Sequence, residues 1–302
     1  MSTEFDNEQI TQAFGQLAEI EKEFEQSEVE ILRYTTLNQA KLFEKRDAVI
    51  AKIKGFWPHV LEDAAGSCGF DEYITPEDAM LLIHVSSIKV TRPNAEKGDP
   101  RDIQISVTLD DNDWTPAQTI VKDFTYQSVD GRTVTETGLI SKPVEIKWKA
   151  GKDLTFGVNK AAIEAFEERV AGNGTYKKGP KEEALLALLM KQPSTFFNWF
   201  SYSGVHLALG EEPQDDEEAE KSPVEPFAFG DEIAISFAED VYPSAVKYFT
   251  TSLEDEDEDE DDEDIDIDSD DDDEEDSHAN CSGKHGHSHS HDGEPAKKKA
   301  RK

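Results

Sequence analysis

Four histidines stand at alternate positions near the end of the chain: His285, His287, His289 and His291. Imidazoles at that spacing could chelate zinc, copper or nickel. The Gly and Ser residues between them favour a solvated spacer, and no metal site is assigned. Ahead of them, residues 254–276 are all Asp or Glu except Ile265, Ile267 and Ser269. That run has no glycine for the sharp turn of a twelve-residue calcium loop, so it offers diffuse cation binding only. Gly174 and Gly179 have the spacing of a phosphate loop, but Pro180 and Lys181 follow where Lys and Ser or Thr are required. His59, His84 and His206 fall in no nucleophile, metal or cofactor pattern. Without a paired base and nucleophile, the sequence reads as a protein that is not an enzyme and uses no cofactor.

What remains is charge. The 302 residues carry 67 acids against 31 bases, a formal net charge of −36. Residues 1–253 are still acidic without the tail, yet hold aliphatic and aromatic residues enough for a core. Such a surface is unlike one that grips nucleic acid phosphates directly. It attracts polybasic partners through long-range steering. No stretch approaches the ~18 apolar residues of a membrane span. The N-terminus has no secretory pattern. Cys68 and Cys281, far apart, read as reduced thiols. Within the body a second acid concentration lies at Glu211, Glu212, Asp215, Asp216, Glu217, Glu218 and Glu220. Asp231, Glu232, Glu239 and Asp240 follow. The chain ends in Lys297, Lys298, Lys299, Arg301 and Lys302, a cluster suited to a receptor-read nuclear signal.

The elements that must position these charges divide the chain at 1–57, 58–253 and 254–302. Residues 1–57 contain no proline, and apolar residues recur at three- and four-residue spacing: Ile10, Ala13, Leu17, Ile20 and Phe24, then Ser27 as the exception, then Ile31 and Tyr34. That is the seam of a coiled coil. Asp6 with Gln9 could cap its start. Asn38 falls at a core position, and Leu42 continues the seam in a shifted register. Beyond it two stripes run side by side, Leu42, Val49, Ile53, Phe56 and Phe43, Ile50, Trp57. One suits a partner helix and the other the chain's own body. Lys54, Gly55 and Pro58 are expected to stop the helix. A helix of ~45 residues would be roughly 70 Å long and could not bury its seam within one chain. The expectation is a homodimer through paired long helices, the alternative being a helical hairpin broken near Thr35 and Thr36.

Residues 58–150 change to period two. Strands are expected at 81–90, 101–109, 119–127 and 144–149, as an antiparallel meander with one buried and one wet face. Residues 151–253 return to helix. They hold a helical stretch at 182–191, an aromatic knot at Thr195–Phe200, and one or two helices around Pro243. Residues 254–302 are low-complexity and too charged to bury apolar area, so they are expected to be disordered.

Four ordered segments carry a resemblance: Phe43–Trp57, Pro143–Leu154, Phe196–Phe200 and Asp240–Phe249. With the long first helix and the acid tail, the chain resembles the nucleosome assembly protein family. Within it, the chain looks like the SET branch and its fungal relative named for vacuolar protein sorting. The resemblance implies an α+β fold. A long dimerisation helix leads into an earmuff body, a four-stranded antiparallel sheet with helices on one side, followed by a disordered acidic tail. It implies a histone chaperone without catalysis. The location expected from the terminal basic cluster is the nucleus, with shuttling to the cytoplasm left open. Core histones would bind the underside of the earmuff. Glu239 and Asp240 match the family's position there, while Asp231, Glu232 and the Glu211–Glu220 loop are candidates on charge alone. An alternative from another class is an acidic adaptor or inhibitor docking on an enzyme such as a histone acetyltransferase or a protein phosphatase.

Overall fold

The computed structural model describes residues 7–129, 132–133, 135, 137–171, 178–204 and 224–262. Asp6, the Asp130-Gly131 turn, Gly174, the Glu211–Glu220 acids and everything after Asp262 lie outside those residues, the histidine row and the terminal basic cluster among them.

Helix α1 runs from Asn7 to Ile50. It stops earlier than the sequence suggests, because the backbone tightens to three-residue bonds (Lys52 N to Val49 O, 3.0 Å; Ile53 N to Ile50 O, 2.8 Å). Gly55 then adopts φ 79°, a left-handed conformation that glycine takes without strain. Helix α2, Phe56–Cys68, follows at once. Pro58, read as a stop, sits in the first turn of α2, where no intrahelical N–H is needed. Phe56 and Trp57 therefore belong to α2, which buries them with Val60, Leu61, Ala64 and Ala65.

Helix α3, Pro76–Leu82, begins with a capping box: Thr75 Oγ1 accepts Asp78 N (3.1 Å), and Asp78 Oδ2 accepts Thr75 N (3.0 Å). This overrides the strand expected from Leu81. Leu81 and Leu82 are the helix's last turn, and strand β1 starts only at Val85. Fully buried Asp78 also accepts Thr195 Oγ1 (2.5 Å) and Phe196 N (2.9 Å), tying α3 to the aromatic segment. Asp78→Ala removes the carboxylate half of the capping box and orphans two buried donors, Thr195 Oγ1 and Phe196 N. It should cost about 3 kcal/mol in a urea melt; a loss below ~1 kcal/mol would show that the tie is not structural.

The main sheet has the order β1-β2-β3-β6, all antiparallel, from β1 Val85–Thr91, β2 Ile103–Leu109, β3 Gln118–Tyr126 and β6 Leu139–Ser141. A short β4–β5 pair (Ser128–Val129, Arg132–Thr133) lies beside it. Alternation holds in β2, where Ile103, Ile105, Val107 and Leu109 are all buried. The fourth strand is not the one expected. Residues 144–149 make no ladder. Their N–H groups go to Phe200 O from Val144, to the side chains of Asn159 and Gln118 from Ile146 and Lys147, and to Trp114 O from Lys149. Partners drawn from a turn and from side chains satisfy this stretch without strand pairing.

One sheet face is buried and the other, with Thr119, Val121 and Asp123, is wet. The buried face carries the core together with α2, α3, the 3-10 turn Phe196–Ser201 and the closing helices. Trp199 sits at the centre. Its ring lies 5.9 Å from Phe124 and 5.7 Å from Phe237, and Nε1 donates to Gly230 O at 2.8 Å. Helices α4 (Val158–Ala171) and α5 (Pro180–Leu189) form a satellite core around Ala162, Ala165 and Leu185. The chain closes with α6 (Gly230–Ser236), a π-turn (Phe237–Val241) and α7 (Ala245–Asp262). Helix α7 crosses the boundary expected at 253 and carries the first tail acids in helical form. Among the described residues no helix is long and apolar enough to cross a membrane.

Candidate functional site

From Thr11 to Glu28 every residue of α1 is exposed, with Glu25 reaching the body through Arg101. Its seam is uncovered: Leu17, Ile20, Phe24, Ile31, Tyr34 and Leu42 are 46 to 72% exposed, and only Ile10 is half-buried. Phe14 is 66% exposed beside them. Asn38, at a seam position, donates to Tyr34 O within its own helix (2.7 Å). From Val29 onward a second stripe, Leu32, Thr36, Phe43 and Ile50, turns into the body, as the two parallel stripes suggest. Arg46 locks that contact. It donates to Tyr242 O (2.5 Å) and Pro243 O (3.2 Å), and its guanidinium lies 4.4 Å from the Tyr242 ring centroid. Tyr242 in turn donates to Asp47 (2.7 Å). Arg101 reaches Glu25 at 3.0 Å and Arg33 donates to Gly98 O at 3.0 Å.

The candidate acids separate into distinct environments. Glu239 and Asp240 project from the π-turn and are exposed. Glu239 meets Arg92 at 3.3 Å, and Asp240 accepts the Tyr248 hydroxyl at 2.8 Å. Glu232 is exposed in the first turn of α6. Asp231 does not belong with them. It is 5% exposed and accepts the Thr137 hydroxyl at 2.8 Å, so it ties α6 to the segment before β6. A carboxylate beside a helix N-terminus also finds favourable dipole interaction, which is why a charge count alone mistook it for a surface acid.

Glu211, Glu212, Asp215, Asp216, Glu217 and Glu218 lie outside the described residues, but both ends of their segment are pinned. Glu225 accepts Ser203 N (3.1 Å), Ser203 Oγ (2.9 Å) and Gly204 N (2.9 Å). Gly204 has φ 65°, and a Cβ there would meet Tyr202 Oη at 2.5 Å. Beneath, Lys122 is fully buried, with Nζ donating to the carbonyls of Tyr202 (2.9 Å), Lys142 (3.0 Å) and Phe200 (3.3 Å). Burial pushes the Lys122 ammonium down to about 7, opposed by Glu225 and Asp123. The same burial raises Glu225, opposed by its bonds from Gly204 and Ser203. A second buried pair, Arg169 with Glu182 at 3.0 Å, holds Val224, whose N–H donates to Glu182 at 2.7 Å. Sequence reading missed all four groups. The one available signal was a lysine at an inward slot of the alternating β3. These groups hold Ser203, Gly204 and Val224, the described residues on either side of 205–223.

The described geometry is an extended helix with an uncovered apolar seam, joined to an αβ body that exposes acids within and just before a π-turn. Comparison with known proteins gives its family. The nucleosome assembly protein (NAP) family matches residues 7–252. A Schizosaccharomyces pombe chain described as a nucleosome assembly protein is 31% identical, over 82% of this chain and 83% of that one. The vacuolar protein sorting-associated protein 75 of Saccharomyces cerevisiae is 28% identical over 85% of each. The crystal structure of Ccp1 aligns with TM-score 0.53 at 30% identity, covering 81% of this chain and 97% of Ccp1. That of Vps75 aligns with TM-score 0.55 at 25% identity, covering 80% and 99%. The chain belongs to the nucleosome assembly protein family.

Proposed function

We propose that this protein is a nuclear histone chaperone acting as a homodimer, without catalysis. The observation that carries the reading is the family match over residues 7–252 in a chain of net charge −36. A solved relative is titled the Vps75 histone chaperone. Histones are polycations that collapse onto DNA; an acidic carrier shields them and releases them to the denser charge of DNA. The seam from Ile10 to Leu42 pairs two copies. Glu232, Glu239 and Asp240 form the structured part of the histone face. The Glu211–Glu220 loop and the tail acids add many weak contacts that raise capture rate and salt sensitivity. The cluster Lys297–Lys302 serves import into the nucleus.

Deleting residues 254–302 should weaken histone binding without abolishing it, because acids still outnumber bases in the body. Glu232→Lys combined with Glu239→Lys should weaken it by about tenfold at physiological salt, through lost attraction and added repulsion. Titrating each variant with each core-histone pair checks both. Complete loss on tail deletion, with no effect of the two body reversals, would favour an adaptor working through its tail.

A further inference from the structure

Helix α1 and the body enclose a groove of about 510 Å³. Ala40 and Phe43 of α1 line it on one side, and Val90 of β1 with Tyr242 and Pro243 on the other. Ala40 follows Ile31 by nine residues, two and a half turns at 3.6 residues per turn, so it faces away from the seam. A second copy paired along Ile31, Tyr34 and Leu42 therefore leaves this groove open. The rim is acidic: Glu44, Glu96 and Glu239 are all exposed there. Of the two lining cations, Arg92 is held by Glu239 and by the carbonyls of Pro100 (3.1 Å) and Arg101 (3.3 Å); Lys89 is the other. The walls are preformed, because Arg46 and Asp47 both bond Tyr242.

An apolar floor inside an acidic rim matches neither a bare polycation nor a neutral apolar ligand. It fits a basic segment that presents one apolar side chain between Lys or Arg residues. We propose that this groove is the selective subsite for histone, taking such an apolar anchor while the rim carboxylates take the flanking cations. The inference rests on the histone-carrier reading above. It makes part of the binding insensitive to salt, since apolar burial is not screened.

The test uses the full-length protein with Ala40→Trp, which fills the groove while leaving seam and charge untouched. Affinity for core-histone pairs at ~0.5 M salt, where screening lengths are short, should fall by about tenfold or more. Polylysine binding at low salt and the mass of the dimer should not change. A second measurement places a benzophenone photo-crosslinker at position 40, where the expected product joins one histone segment with an apolar residue beside Lys or Arg. Wild-type-like histone binding by A40W at ~0.5 M salt would overturn the groove alone. Crosslinks scattered over many histone sites, or to the chain's own tail, would also overturn it. A wild type that prefers histones no more than polylysine would overturn the carrier reading and the groove with it.

Discussion

Replacing Leu17, Phe24 and Ile31 together by Asp should convert the protein from a species of twice the chain mass to a single chain in light scattering. All three are more than half exposed on α1. A two-fold interface would bury each of them twice. At about 1.5–3 kcal/mol per buried side chain, six burials amount to roughly 10 kcal/mol or more, and each 1.4 kcal/mol is about tenfold in association. Losing them, with carboxylates placed in the seam, leaves nothing to hold two copies at micromolar concentration. Helix content should fall as well, because the exposed half of α1 is an isolated helix of marginal stability without its partner. The core around Trp199 does not involve these positions, so tryptophan fluorescence should stay native. A stable dimer after this change would refute the seam.

Lys122→Met should destabilise the body by about 3 kcal/mol, because it leaves buried carbonyls without their donor. Three carbonyls lose their donor, and Glu225 is left without its nearby cation. Adding Glu225→Gln should recover part of the loss by removing the unpaired charge. The lysine also sets a pH signature. Its value in the fold, about 7, lies below the ordinary 10.5. Between these values the unfolded chain holds a proton that the folded chain lacks, so stability from this group rises with pH across that window. Wild type should therefore gain on K122M from pH ~7 towards ~10 in denaturant melts; a constant difference would mean that Lys122 keeps its proton throughout. Because Glu225 clamps Ser203 and Gly204, the same variant should make the 205–223 segment more sensitive to protease.

Much of this fold was legible because single patterns decide it. The period-two run of β2 buries the four residues it names, and Phe43 and Ile50 of α1 face the body as their spacing suggests, while Phe56 and Trp57 pass to α2. The aromatic knot could only be core. The failures have local causes. Thr75 and Asp78 close a capping box that turned Leu81 and Leu82 into helix despite their strand-like neighbours. Residues 144–149 have strand alternation but find hydrogen-bond partners in Phe200, Asn159, Gln118 and Trp114, which no local pattern announces. Pro58 reads as a stop until Gly55 is known to have reset the chain just before it. For the acids, the sequence supplied charge but not solvent access. Asp231 is buried one residue before exposed Glu232, and only the packing of Thr137 against α6 separates them. Lys122 and Glu225, about a hundred positions apart, influence each other electrostatically in the fold, and nothing in either local stretch points to the other.

The central claim is that histones are held by a structured acidic dimer and not by charge alone. Sedimentation of the purified protein with each core-histone pair, at ~0.15 M and ~0.5 M salt, tests it most directly, since screening lengths shorten between the two. The expected result is a dimer that carries histones in fixed stoichiometry at both salts. Binding that vanishes at the higher salt, and does so equally for any basic protein, would contradict it.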